Sequence, residues 1–249
     1  MPKPIALITG ASRGIGVASE RLLARQGYDV CINYRRDADS AEQIKQQLEQ
    51  QGARTCVVHA DISSEQDVIR LFDEVNNKLG PVSHLVNNAG ILFPQSRLED
   101  VSVERLQKLF ATNIIGTVLC CQQAVKTMST KNDGTGGVIV NVSSVAAKLG
   151  SPHEYIDYAA SKGAIDSLTI GLAAEVAEEG IRVNGVRPCI IQTTMHADGG
   201  EPGRVERVKQ FVPLKRGGTP EEVASVIGFL LSEDSSYCTG SIIDVSGGR

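Results

Sequence analysis

Short β-rich runs alternate with longer amphipathic stretches from one end of the chain to the other, and this alternation restricts the possible folds more than any other feature. It is the pattern of βαβ units laid into a parallel sheet. Strands are predicted near residues 4–9, 29–34, 54–59, 82–87, 136–143, 181–188 and 240–245, with helices in the gaps. Between Val103 and Met128 the apolar positions Leu106, Leu109, Phe110, Ile114, Val118 and Cys121 recur at helical spacing, on one face. A Lys131–Gly137 loop rich in Gly, Asn and Asp then turns the chain back into a strand. No linker, charge block or internal repeat interrupts the pattern, so a single α/β domain is expected over residues 1–249.

Composition narrows the partners. The 249 residues are 41% hydrophobic, ordinary for one well-filled globular core. With 25 basic against 29 acidic residues the net charge is -4, so no basic excess meets a phosphate backbone or an anionic lipid surface. Neither nucleic acid nor membrane is expected as a partner. The first strand-like run begins at Ile5, leaving no room for a secretory leader, and no apolar run approaches the roughly 18 to 20 residues that span a bilayer. A cytoplasmic protein is expected. Cys31, Cys56, Cys120, Cys121, Cys189 and Cys238 form no CxxC pair, and several lie in apolar runs. They read as small buried hydrophobes in a reducing compartment, with no metal site.

Directly after the first strand comes Thr9-Gly10-Ala11-Ser12-Arg13-Gly14-Ile15-Gly16, followed by a helical pattern through Leu22, Leu23 and Gln26. Glycines at a strand-to-helix turn let the main chain approach a pyrophosphate, whose charge is met by the N–H groups and dipole of the new helix. Farther along, Tyr158 and Lys162 stand four apart in a stretch predicted to be helical, which puts both side chains on one face.

The spacing is TGxxxGxG. With it come Asp61-Ile62 after the third strand, Asn87-Asn88-Ala89-Gly90 after the fourth, Asn113 in the long helix, Ser143-Ser144 after the fifth strand, and Tyr158-Ala159-Ala160-Ser161-Lys162. In these motifs the whole chain resembles the short-chain dehydrogenase/reductase family. The resemblance implies a doubly wound (Rossmann) domain, a seven-stranded parallel sheet with helices on both faces, usually assembled as a homotetramer. It implies hydride transfer between a nicotinamide cofactor and a small-molecule carbonyl or alcohol. Cofactor contacts are implied at Gly10, Ser12, Arg13, Gly14, Ile15 and Gly16, at Asp61 and Ile62 around the adenine, and at Asn87, Ala89 and Gly90 along the carboxyl edge of the sheet.

A carboxylate ending the second strand would bond the ribose hydroxyls of NAD and repel the extra phosphate of NADP. The resemblance puts that acid at about Tyr34, which cannot play the part, and Arg35 and Arg36 follow. With Arg13 in the glycine loop, guanidinium groups are available to clamp a 2′-phosphate, so NADP(H) is the expected cofactor. Asp37 has a spacing that suits an NAD-binding acid, but it lies beyond two arginines.

By the same resemblance Tyr158 is the acid/base, and a phenol with pKa ~10 needs help at neutral pH. The Lys162 ammonium and the oxidised nicotinamide are expected to draw that pKa down. Tyr155 lacks a lysine four residues on and is expected to border the pocket instead. Adjacent serines on a strand point opposite ways; the family uses the second, so Ser144 is expected at the substrate oxygen. Asn113 is expected to interrupt or orient its helix and to hold a water that links Lys162 to solvent. Pro188, Ile191 and Thr193 match the family's nicotinamide-side pattern, but Cys189 stands where it has glycine, a substitution that is strained if positive φ is needed there.

An irregular stretch from Gln192 to about Gly203 reads as a substrate lid, extending through Thr194–Val212. His153 and Glu154 either meet a polar substrate or simply cap the helix that follows. Three functions stay open: a carbonyl reductase or secondary alcohol dehydrogenase, sugars included; a 3-oxoacyl thioester reductase; and a non-catalytic NADP(H)-binding regulator. A carrier-protein partner would want a basic patch, for which Arg97, Arg105, Lys126 and Lys131 look scattered. A regulator of this kind usually lacks the tyrosine or the lysine, and both are present.

Overall fold

The computed structural model describes residues 3–249. Its strands are β1 (Ile5–Ile8), β2 (Asp29–Tyr34), β3 (Thr55–His59), β4 (His84–Asn87), β5 (Gly137–Val142), β6 (Ile181–Pro188) and β7 (Ile242–Val245). They form one sheet in the order β3-β2-β1-β4-β5-β6-β7, parallel throughout. The helices are α1 (Gly14–Arg25), α2 (Ala38–Gln50), α3 (Glu65–Lys78), α4 (Val103–Phe110), α5 (Thr117–Met128), α6 (Ala146–Leu149), α7 (Ile156–Val176), α8 (Met195–Asp198), α9 (Arg204–Val208) and α10 (Pro220–Leu231).

Alternating side chains split the core into two layers. Ile5 and Leu7 of β1 join Leu71 of α3, Ala124 of α5 and Val176 of α7 on one side of the sheet. Ala6 and Ile8 join Leu23 of α1, Leu48 of α2 and Ile227 of α10 on the other. Cys31, Cys56, Cys120 and Cys121 are free thiols buried in the first layer, as small hydrophobes. Among the described residues no helix is long and apolar enough to cross a membrane.

The chain runs outward from β1 to β3 and then returns to lay β4 on the other side of β1. Connections leaving β1 and β4 therefore diverge and open a crevice at the carboxyl ends of the strands. The helix expected from Val103 to Met128 is interrupted by a π-helical turn over Ala111–Gly116, which carries Asn113, the residue expected to interrupt or orient it. Gly116 belongs there because a Cβ would stand 2.8 Å from Ile62 Cδ1. One expectation is corrected: the stretch from Gln192 to about Gly203, expected to be irregular, contains α8, and α9 follows directly after it.

Candidate active site

Tyr158 and Lys162 lie one turn apart on α7, and with Ser144, just past β5, they line a cavity of about 470 Å3. Lys162 Nζ sits 5.6 Å from the centre of the Tyr158 ring and donates to the Val142 carbonyl at 2.7 Å. Both serines border the cavity but take different partners: Ser143 is buried and its hydroxyl donates to the Lys162 carbonyl at 3.1 Å, whereas Ser144 Oγ accepts from Ala146 N at 3.1 Å and lies near enough to Tyr158 to favour its phenolate. Burial pushes the Tyr158 phenol up to about 12, opposed by the Ser144 hydroxyl. Burial also pulls the Lys162 ammonium down to about 8, with Asp166 opposing. The downward pull expected from Lys162 on Tyr158 does not show: desolvation, which penalises each charged form, dominates, and Ser144 is what opposes it.

Asn113 is buried in the π-helical turn, where its Oδ1 accepts from Ile91 N at 2.8 Å. Its Nδ2 donates to Ile91 O at 3.1 Å and to Ser161 Oγ at 3.2 Å. The side chain thus orients its helix, as expected, by pinning the Gly90–Ile91 turn against the Lys162 helix. A Cβ added to Gly90 would stand in ordinary contact, 3.6 Å, with both Asn113 Oδ1 and Lys162 Nζ, which places this turn beside both side chains.

The glycine loop is built for close approach. Gly10 has φ +61, and a Cβ there would stand 2.8 Å from Ala89 Cα; a Cβ on Gly16 would stand 2.7 Å from Ala11 Cα. Arg13 precedes α1 without a side-chain cap, which leaves the first-turn N–H groups to an anion. Two residues outside the predicted set hold this loop. Asn33 Oδ1 accepts from Gly10 N at 3.1 Å, and Asn88 Nδ2 donates to the carbonyls of Thr9 and Gly10, both at 3.0 Å.

A family model described as enoyl-(acyl carrier protein) reductase matches residues 10–249. An uncharacterized oxidoreductase of Escherichia coli strain K12, YgfF, is 55% identical, covering 98% of this chain and 99% of its own length. A glucose 1-dehydrogenase of Gluconobacter oxydans is 38% identical over 97% of this chain and 90% of its own. A solved structure of a mutant Serratia marcescens short-chain dehydrogenase/reductase superposes with a TM-score of 0.91 at 29% identity, over 99% of this chain and 98% of that one. The chain belongs to the short-chain dehydrogenase/reductase family. It is an oxidoreductase fold whose family works on small molecules with nicotinamide cofactors.

A dinucleotide of that family fits the cradle, since the three glycines leave main chain where a Cβ would intrude and α1 offers uncapped donors. Tyr34 closes β2 and packs its ring on His59, 5.4 Å between centres. Arg35 Nε pairs with Asp61 Oδ2 at 2.9 Å, beside buried Ile62, while Arg36 is exposed. Asp37 Oδ1 accepts from Ser40 N at 3.0 Å and caps α2, so it is committed elsewhere. Asn87, expected at the cofactor, turns its side chain into the core, donating to Asn141 Oδ1 at 2.9 Å. Its neighbour Asn88 lines the cavity instead.

Past the end of β6, Pro188, Ile191 and Thr193, expected at the nicotinamide, line the cavity, as does Cys189. Cys189 does not carry positive φ; the strained residue is the next one, Ile190, at φ +50. A β-branched residue there is an outlier that the surroundings must hold in place.

The lid is latched by charge. Glu154 accepts from Arg204 at 2.5 Å and Arg207 at 2.8 Å, and Glu201 from Arg207 at 2.5 Å and Arg204 at 3.3 Å. Arg204 is only 8% exposed and sits 4.8 Å over the Tyr155 ring, whose hydroxyl donates to Gly199 O at 3.2 Å. Tyr155 thus borders the cavity, as expected, and Glu154 holds the lid. Below them Arg105 grips buried Asp157 with two bonds, 2.7 and 3.2 Å, tying α4 to the first turn of α7. No spacing in the sequence joins residues 52 apart. An asparagine in the buried run of β2 was the one local hint of Asn33's role, because such a group must find partners.

Proposed function

We propose that the chain is an NADP(H)-dependent oxidoreductase that interconverts a carbonyl and a secondary alcohol, with Tyr158 as general acid/base. The observation that carries this is the Ser144–Tyr158 pair at the cavity floor with Lys162 alongside. Two hydroxyls can converge on one substrate oxygen. When bound, the nicotinamide supplies or takes the hydride. In reduction Tyr158, protonated at neutral pH, gives its proton to the carbonyl oxygen while Ser144 holds that oxygen by a hydrogen bond. Lys162 stands behind the phenol and favours the phenolate left after the transfer. The Asn113 amide is engaged with Ile91 and Ser161 and its main-chain carbonyl accepts from Thr117 Oγ1 at 3.1 Å, so Asn113 acts here by positioning the Gly90–Ile91 turn beside Lys162.

NADP(H) is supported by Arg35 and Arg36 following a β2 that ends in Tyr34 and not in an acid, by Arg13 in the glycine loop, and by the capping role of Asp37. The proposed cofactor set is Gly10, Ser12, Arg13, Gly14, Ile15, Gly16, Tyr34, Arg35, Arg36, Asp61, Ile62, Ala89, Gly90, Tyr158, Lys162, Pro188, Ile191 and Thr193, with Asn88 replacing the side chain of Asn87. Around the reacting floor the walls include Leu92, Leu149 and Met195, and the charges of Glu154 and Arg204 neutralise each other. That supports a ketone with an apolar body over an aldose, the substrate named for the Gluconobacter relative. A carrier-protein thioester is the weaker reading, because Arg97, Arg105 and Lys131 are each matched by a carboxylate. A homotetramer in the cytoplasm completes the proposal.

The experiment is NADPH and NADH oxidation across a panel of apolar ketones, aldoses and 3-oxoacyl thioesters. Turnover of ketones with NADPH is expected. Turnover of none of the panel, or a preference for NADH, would overturn the reading.

A further inference from the structure

We propose that Asp198, at the end of lid helix α8, is a cofactor-specificity residue. Its carboxylate occupies Arg13 until a 2′-phosphate displaces it, so recognition of that phosphate is coupled to loosening of the lid at that helix. The inference rests on the NADP(H) reading above.

Arg13 belongs to the glycine loop, yet its guanidinium reaches across the cleft to the lid. One terminal nitrogen donates to the Asp198 carboxylate and the other to Thr194 Oγ1 at 3.3 Å. These donors are the ones a 2′-phosphate would take, and the guanidinium cannot present the same planar fork to both anions. The lid also rests on the loop itself, since a Cβ on Gly14 would stand 3.3 Å from Thr193 Cγ2. Arg13 thus straps the lid down directly over the turn that a pyrophosphate must approach.

The other basic groups are arranged differently. Arg35 has a carboxylate partner too, Asp61, but that residue belongs to the body of the fold, where its Oδ1 accepts from Ser63 N at 3.0 Å and Ser63 Oγ at 2.7 Å. Exchanging that partner for phosphate moves no lid. Arg36 is in no ion pair among the described residues and is free to attract the phosphate first. A phosphate monoester carries about -1.5 to -2 charges at pH 7, more than the single charge of Asp198, and so prevails at Arg13. NAD has no such group and leaves the strap closed. The second latch, Glu154 with Arg204 and Arg207, lies at the α9 end, so the exchange loosens the α8 end alone, which Tyr155 still tethers through Gly199 O.

The test uses the full-length protein. Calorimetric titration with NADP+ and NAD+ is paired with hydrogen exchange over residues 194–200, for the wild type and Asp198→Asn. Asp198 is exposed, so its substitution leaves the fold intact. Asp198→Asn is expected to tighten NADP+ about two- to fivefold, the range of an exposed ion pair, and to leave NAD+ within about twofold. Saturating NADP+ is expected to speed exchange at α8 in the wild type more than NAD+ does. Unchanged NADP+ affinity in the variant, or equal tightening of both cofactors, would overturn the proposal while the NADP(H) reading stands. A wild-type preference for NAD+ would overturn that reading and this proposal together.

Discussion

Tyr158 and Lys162 depart from their ordinary pKa values in opposite directions for one reason, burial, which raises an acid that ionises to an anion and lowers a cation. The consequence for pH dependence can be worked out in sign. With the phenol at about 12, Tyr158 keeps its proton through the neutral range, while Lys162, at about 8, loses its own as pH rises through that value. Carbonyl reduction is therefore expected to show a kcat/KM that is flat from pH 6 to 7 and falls above about 8 as the ammonium disappears. A steady-state pH profile checks this, and a reduction rate that climbs from pH 8 to 10 would contradict it. At this scale the sequence identified residue types well and side-chain directions poorly. The rule that the family uses the second serine chose Ser144 over Ser143; both border the cavity, with different hydrogen-bond partners. No such rule separated Asn87 from Asn88 at a strand end, and the strain anticipated at Cys189 lies at Ile190, because residue identity does not fix φ one position away.

Among the elements, those cut by local chemistry were legible and those cut by tertiary contacts were not. Ser64 caps α3, Ser102 caps α4, and Thr219 with Glu222 forms a capping box on α10, all signals within four residues of the helix start. The π-helical turn at Asn113 depends on Ile62 and Ile91, which arrive from elsewhere in the chain. Helices α8 and α9 are short and are held by Glu154 and Tyr155 from the α7 side. The lid makes a prediction of its own. Arg204 is buried against two carboxylates and an aromatic face, so Arg204→Met removes charge-assisted bonds worth about 1.5–3 kcal/mol each and leaves Glu154 to Arg207 alone. Hydrogen exchange over residues 195–211 is expected to accelerate at least tenfold with the sheet unchanged. An unaltered lid would mean that apolar packing, and not the charge latch, orders it.

For the whole molecule, the seven strands were readable to within two residues at each end because each is a short β-rich run bounded by a turn. Their lateral order was not: periodicity names a strand but not its neighbours, and the resemblance implied only a doubly wound parallel sheet. The proposed tetramer belongs to this scale. Ile115 and Ile170 are 52% and 56% exposed, apolar positions that a neighbouring copy would cover. Light scattering is expected to give four times 26.5 kDa, and a monomer mass at micromolar concentration would contradict it.

The central claim is that a single phenol delivers the proton, and one substitution tests it. NADPH oxidation with the best ketone of the panel is compared between the wild type and Tyr158→Phe, with NADP+ affinity measured on both. The expected result is a kcat reduced by about 10²- to 10⁴-fold, the usual contribution of a general acid, at unchanged NADP+ affinity. A Tyr158→Phe enzyme that turns over at the wild-type rate would contradict the account.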